Sequence, residues 1–208
     1  MKNIVLFRSI GAALALSLAS SAGIAARVGV APGADPSLAL QSARVTLTGT
    51  SNLHDWSAAT RMVRLTRIAL APPAAADPWA AILAPGGVLG VDVAVAARSL
   101  HSDRDRLDKN MYKALKADEH ADIAFHLAKL DVGADGSGRA AGVMTIAGIE
   151  RSVVFSVTTK RIASALEIKG TLDLLMTDYG IAPPKAMMGM LKTDPRVKVS
   201  FEIVLGLE

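Results

Sequence analysis

The sequence predicts a mainly β protein: a single antiparallel β-barrel of about eight strands, with one α-helix near residues 103–116. Three observations carry that reading. Apolar side chains recur at every second position, most clearly in Leu89-Val91-Val93-Val95-Ala97, Leu166-Ile168-Gly170-Leu172-Leu174-Met176 and Val197-Val199-Phe201-Ile203-Leu205. The positions between them carry charge, among them Asp92, Arg98, Glu167, Lys169, Asp173, Lys198 and Glu202, the pattern of half-buried antiparallel strands. Only Asp103–Lys116 breaks the rhythm with helical spacing. Amphipathic strands curled around their apolar face leave two alternatives, an interior filled by side chains or one that holds an apolar ligand.

Residues 1–25 read as an export signal. Lys2 and Arg8 form a basic start, Ile10–Ala19 an apolar stretch, and Gly23-Ile24-Ala25 small residues suited to cleavage. The apolar stretch is shorter than the ~20 residues of a comfortable membrane span. The signal implies a soluble periplasmic product cleaved near Ala25. With no cysteine in 208 residues, a lipid-modified cysteine anchor, a disulfide and a thiolate metal site are excluded. Beyond the signal, 183 of the 208 residues remain, with 21 basic against 19 acidic, a net +2. Such a small surplus and 4% aromatic residues argue against nucleic acid as a partner. Residues 26–38 read as a flexible leader and 39–208 as one barrel domain.

Strand one lies near Leu40–Gly49, with Val45 and Leu47 on one face. The turn-like Gly49–Trp56 follows, then a strand near Arg61–Leu70. Ala71–Ala84, with three prolines, reads as a surface loop, and a strand runs about Gly87–Leu100. The helix opens on Ser102-Asp103-Arg104-Asp105, a capping-box pattern in which Ser102 caps and Asp105 reaches back. Leu107, Met111, Ala114 and Leu115 then recur at helical spacing. Strands follow near Asp122–Val132, Arg139–Ala147, Ser152–Ile162, Ala165–Met176 and Arg196–Gly206. Turns are expected at Asp135-Gly136-Ser137-Gly138 and at Gly148-Ile149-Glu150.

Several of these segments, in this order, resemble the YceI family of bacterial periplasmic proteins. The stretches are Ser99-Leu100-His101-Ser102 with Arg104-Asp105, and His120-Ala121-Asp122-Ile123-Ala124-Phe125, where the family usually has proline at the place of Ala121. Met144–Ile149 with Val153–Val157 follows, and then Thr177-Asp178-Tyr179-Gly180-Ile181 leading to Val197–Phe201. The resemblance covers roughly Leu40–Leu205. It implies a lipocalin-like barrel and a long isoprenoid chain, such as a polyprenyl quinone tail, in the lumen.

On that reading the inward candidates are Leu47, Val91, Val93, Phe125, Leu127, Phe155, Leu172, Leu174, Val199 and Phe201. Trp56 is a candidate for the mouth, with the flexible Met187, Met188 and Met190 as a lid. The partner is an isoprenoid lipid or quinone, with transient membrane contact and no cofactor. Ser99, His101 and Asp103 tempt a hydrolytic reading, but neighbours two apart on a strand stand side by side rather than converging. His54, His101, His120 and His126 show no metal-binding spacing, so no catalytic or metal residue is assigned. Arg61, Arg64 and Arg67, three apart, would not share one strand face. Arg104 and Arg106 could meet a ligand head group or an acidic neighbour. The rival functions are an adaptor or stress protein with a filled barrel, and an enzyme acting on a prenyl or lipid substrate.

Overall fold

The computed structural model describes residues 38–72, 75–186 and 191–207. The expected signal, the leader up to residue 37 and the three lid methionines lie outside the described residues. The chain forms strands β1 (Leu38–Ser51), β2 (Trp56–Thr60) and β3 (Val63–Leu70), helix α1 (Pro78–Leu83), β4 (Val88–Ala96) and helix α2 (Asp105–Ala114). Strands β5 (Asp122–Val132), β6 (Ser137–Ile146), β7 (Ile149–Ile162), β8 (Ala165–Leu175), the two-residue β9 (Lys185–Ala186) and β10 (Leu191–Leu207) complete it. All pair antiparallel in the order β2-β1-β10-β8-β7-β6-β5-β4-β3, with β9 on β10. The two edges of this order, β2 and β3, are consecutive in the chain and separated only by Arg61 and Met62. The sheet therefore curls until its edges approach. Across that seam Ala43 of β1, Val63 of β3 and Val95 of β4 pack in one buried cluster.

The alternation sorts the faces as expected. On β7, Val153, Phe155 and Val157 are buried while Ser156, Thr158 and Lys160 are exposed. Single-residue register shifts interrupt it at Gln41, Thr66, Leu89 and Ala128, and Leu89, which the two-residue period groups with Val91 and Val93, is exposed. Each is a bulge that resets which parity faces inward and sharpens the coiling. The bulge at Thr66 brings Arg64 and Arg67 to the same outward face, contrary to the simple two-residue period. Both are paired there: Arg64 with Asp122 at 2.7 Å and Arg67 with Asp92 at 3.6 Å.

Three further expectations are corrected. The segment read as a surface loop contains α1, which starts where the Asp77 carboxylate accepts from the Trp79 amide and Pro78 opens the first turn. Helical spacing then turns Trp79, Ile82 and Leu83 to one side. The turn between β6 and β7 is Ala147-Gly148, both with positive φ, and Ile149 and Glu150 already belong to β7. Glycine or a tolerated small residue suits such a two-residue turn. Finally, Ser102 does not cap α2. Arg104 is the N-cap and makes no side-chain cap bond. Asp108, not Asp105, reaches back, accepting from the Ser102 amide at 2.8 Å and its hydroxyl at 2.6 Å.

Candidate functional site

The apolar side of the sheet encloses a cavity of about 360 Å³. The bulged, strongly coiled strands hold it open because large side chains meet glycine across the wall. The Phe201 ring covers Gly170, where an added Cβ would stand 2.4 Å from it, and the Phe125 ring covers Gly142. Phe155 lies between them, 5.5 Å from Phe125 and 5.7 Å from Phe201, centroid to centroid. Tilted and edge-on pairs at this spacing are favourable geometry for aromatic rings. The three phenylalanines thus lie against the strands, and the space inside them stays open.

All ten inward candidates, Leu47 through Phe201, stand on this wall, and so does Trp56. Among the described lining residues none is Asp, Glu, Lys, Arg or His. Side-chain nitrogen or oxygen enters only through Trp56, Asn110, Tyr179 and Thr193. The cavity reaches both ends of the strands. Val197 and Leu205, both lining it, are eight residues apart on β10, roughly 26 Å at ~3.3 Å per residue.

Each end is covered by a helix that strand periodicity alone does not reveal. At one end α1 lays Trp79 and Ile82 against Leu166 and Leu205. Trp79 is 2% exposed and its indole donates to the Ser164 carbonyl at 3.2 Å. Asp77 at the start of α1 is bound to Arg161, whose hydrogen bond holds that carboxyl below the usual carboxylate range against the opposing effect of desolvation. At the other end Leu107 and Met111 of α2 reach the cavity. Leu107 and Met111 were legible as a helical face, but their place on the wall was not. For α1 the readable signal was Asp77-Pro78 followed by apolar residues three and four apart.

Trp56 stands between two spaces at the α2 end. Its ring folds over Gly49, its partner on β1, leaving no room there for any side chain. Together with Leu107 and Leu175 it lines both the apolar cavity and an outer groove of about 800 Å³. That groove is polar, with Asp55, Asp103, Asp173 and Asp194 facing Arg104, Arg196 and Lys198. Arg104 meets His54 there, and the turn before Trp56 is tied by the Ser51 hydroxyl donating to the His54 carbonyl at 2.7 Å. Arg98 binds Asp118 on the outside and lies over the Tyr112 ring.

Tyr179 belongs to the same end. It follows β8 in a 3-10 turn, Met176–Tyr179, closed by Gly180 in the left-handed region. It packs in a buried cluster with Ala58, Leu100, Met111 and Leu115. Its hydroxyl and the Trp56 indole nitrogen are both buried without a hydrogen-bond partner. Burial pushes the Tyr179 pKa up; Asp178 adds to this and Arg151 opposes it. The group therefore stays a protonated donor at neutral pH.

The residues that tempt a hydrolytic reading do not converge. Ser99 bonds Thr60 at 2.9 Å and the Ala96 carbonyl at 2.7 Å. His101 meets Asp108 at 3.2 Å, and the Asp103 side chain is 86% exposed. Among the described residues no cluster of His, Asp and Glu could hold a metal ion.

The geometry matches known folds. The chain is similar to BcnA of Burkholderia cenocepacia, with a TM-score of 0.62 at 12% identity over 78% of this chain and 95% of that one. It is similar to a polyisoprenoid binding domain from Saccharophagus degradans implicated in plant cell wall breakdown, with a TM-score of 0.62 at 10% identity over 83% and 99%. It is also similar to a Campylobacter jejuni YCEI protein, with a TM-score of 0.54 at 16% identity over 76% and 84%. No curated protein matches the chain by sequence. The family model for the YceI-like domain matches residues 40–205, nearly the whole curled sheet, and the chain belongs to that YceI-like family.

Proposed function

We propose that this protein is a periplasmic carrier that holds a long isoprenoid chain, such as a polyprenyl lipid or the tail of a prenyl quinone, inside the curled sheet. The observation that carries the reading is the cavity itself: elongated and walled almost wholly by hydrocarbon. Such a wall offers a chain-shaped apolar molecule removal from water, at ~25 cal/mol per Å². Burying about 600 Å² of prenyl chain would contribute roughly 15 kcal/mol gross, before the losses of ordering and association. The likeness to a polyisoprenoid binding domain agrees with this chemistry. The ten wall residues act by shape and apolarity, and the reading asks for no catalytic group. Leu53, 67% exposed in the loop before Trp56, is suited to transient contact with a membrane during loading.

Phe201→Trp tests the reading against that of a filled adaptor barrel. The Phe201 ring already uses the space above Gly170, so the larger indole must extend into the lumen. A carrier should keep a melting temperature close to wild type and lose affinity for an added long prenyl lipid. A filled barrel should instead lose ~1–3 kcal/mol of stability through overpacking, with no prenyl affinity to lose. That second pattern contradicts the carrier.

A further inference from the structure

A chain-shaped ligand that enters the lumen at one end reaches only as far as the other end allows. The α2 end is the mouth: Trp56, Leu107 and Leu175 line both the lumen and the outer polar groove, so the two spaces meet there. The α1 end is the floor. Of the α1 residues, Ile82 and Leu83 line the lumen. Ile82 is 6% exposed and belongs to the buried cluster of Trp79, Leu166 and Leu205. Three ties hold this floor in place. The Asp77 carboxylate caps the helix and is bound to Arg161. The Trp79 indole donates to the Ser164 carbonyl. Gly87 lies so close to the helix end that a Cβ there would run into the Ala81 and Ile82 carbonyls.

We propose that Ile82 and Leu83 set the chain-length specificity of the lumen: they stop the tail of the prenyl chain, and the space above them takes about three isoprene units. This rests on the carrier reading and narrows it. A dry apolar cavity of ~150 Å³ takes benzene, with six carbons. On that scale the lumen of about 360 Å³ takes roughly 14 carbons, close to three five-carbon units. A longer chain cannot pass the floor, so its further units remain at the mouth. The groove there, with Asp55, Asp173, Arg196 and Lys198, offers them little apolar cover. A shorter chain leaves a void beside Ile82, and an unfilled apolar space forfeits contacts. Both misfits lose affinity, so length is read as fit.

The test offers the delipidated full chain an equimolar mixture of prenyl alcohols of two to six isoprene units in phosphatidylcholine vesicles. In vesicles every chain already lies in hydrocarbon, so an added unit gains nothing by leaving water, and occupancy reports fit. Native mass spectrometry of the recovered protein reads which chain is bound. Wild type should prefer the three-unit alcohol over the six-unit alcohol by about 5-fold or more. Ile82→Ala opens the floor by at most about six carbons and should move the preferred length up by one unit. Ile82→Trp fills the floor and should move it down by one unit. Leu83→Ala should also move it up, and its less buried position keeps the test available if the Ile82 variants do not fold. A preferred length unchanged in the folded variants would overturn the inference while leaving the carrier intact. So would wild-type occupancy that peaks at five units or beyond, or has no peak. Failure of wild type to take up any of the alcohols would overturn the carrier and this inference together.

Discussion

Asp108 fastens helix α2 to the His101-Ser102 segment that leads into it. Its carboxylate accepts from the Ser102 amide and hydroxyl and meets the His101 imidazole, while its side chain is only 11% exposed. Burial pushes its pKa up, but the hydrogen bonds from Ser102 and His101 outweigh that and leave it below the ordinary carboxylate value. A carboxyl depressed on folding stabilises the protein above its unfolded pKa of ~3.9 and loses that contribution as pH falls through the folded value. Asp108→Asn should therefore cost about 1–3 kcal/mol at pH 7, the range for a hydrogen-bonded charge. The gap between the two proteins should close as urea titrations are moved from about pH 5 down to about pH 2. Other depressed carboxyls, Asp77, Asp92 and Asp135, affect both proteins alike, so the difference isolates Asp108. A gap that stays constant across that pH range would remove Asp108 from this role.

Helix α1 plugs the cavity end opposite Trp56. Its six residues are too few for a helix to be stable alone, so α1 exists because Trp79 and Ile82 are buried against Leu166 and Leu205. Trp79→Ala should cost about 3–5 kcal/mol, read as a lower urea midpoint, and should open that end to solvent. Fluorescence quenching by iodide of a lumen-bound polyene would show the opening, and unchanged quenching would contradict the plug. Much of the sheet was legible because strands such as β7 repeat a two-residue contrast, as in Val153-Phe155-Val157, and the burial of every second residue there follows from it. The bulges were not legible, since Gln41, Thr66, Leu89 and Ala128 have no local mark; a bulge is a property of two strands in register. Helix α1 was obscured by the prolines before it, although Pro78 is itself a helix-opening residue. The wall candidates on strands could be read from parity alone. Tyr179 could not, because its place on the wall depends on how the turn after β8 folds back towards α2.

A chain without cysteine relies on packing, yet this sheet surrounds open space instead of a filled centre. At ~24 cal/mol per Å³ of apolar void filled, a ligand occupying the 360 Å³ cavity would stabilise the fold by up to about 9 kcal/mol. That is comparable with the ~5–15 kcal/mol of a typical domain. Carrying and folding would then be linked, and loaded protein should resist unfolding better than delipidated protein. Native mass spectrometry of protein released from the periplasm by osmotic shock, before and after extraction with organic solvent, tests the carrier most directly. We predict a mass that starts near Ala26 plus one noncovalent isoprenoid, lost on extraction, with a melting temperature that falls when it is lost. Protein that is repeatedly free of lipid, and that gains neither mass nor melting temperature when prenyl alcohols and prenyl quinones are added, would contradict it.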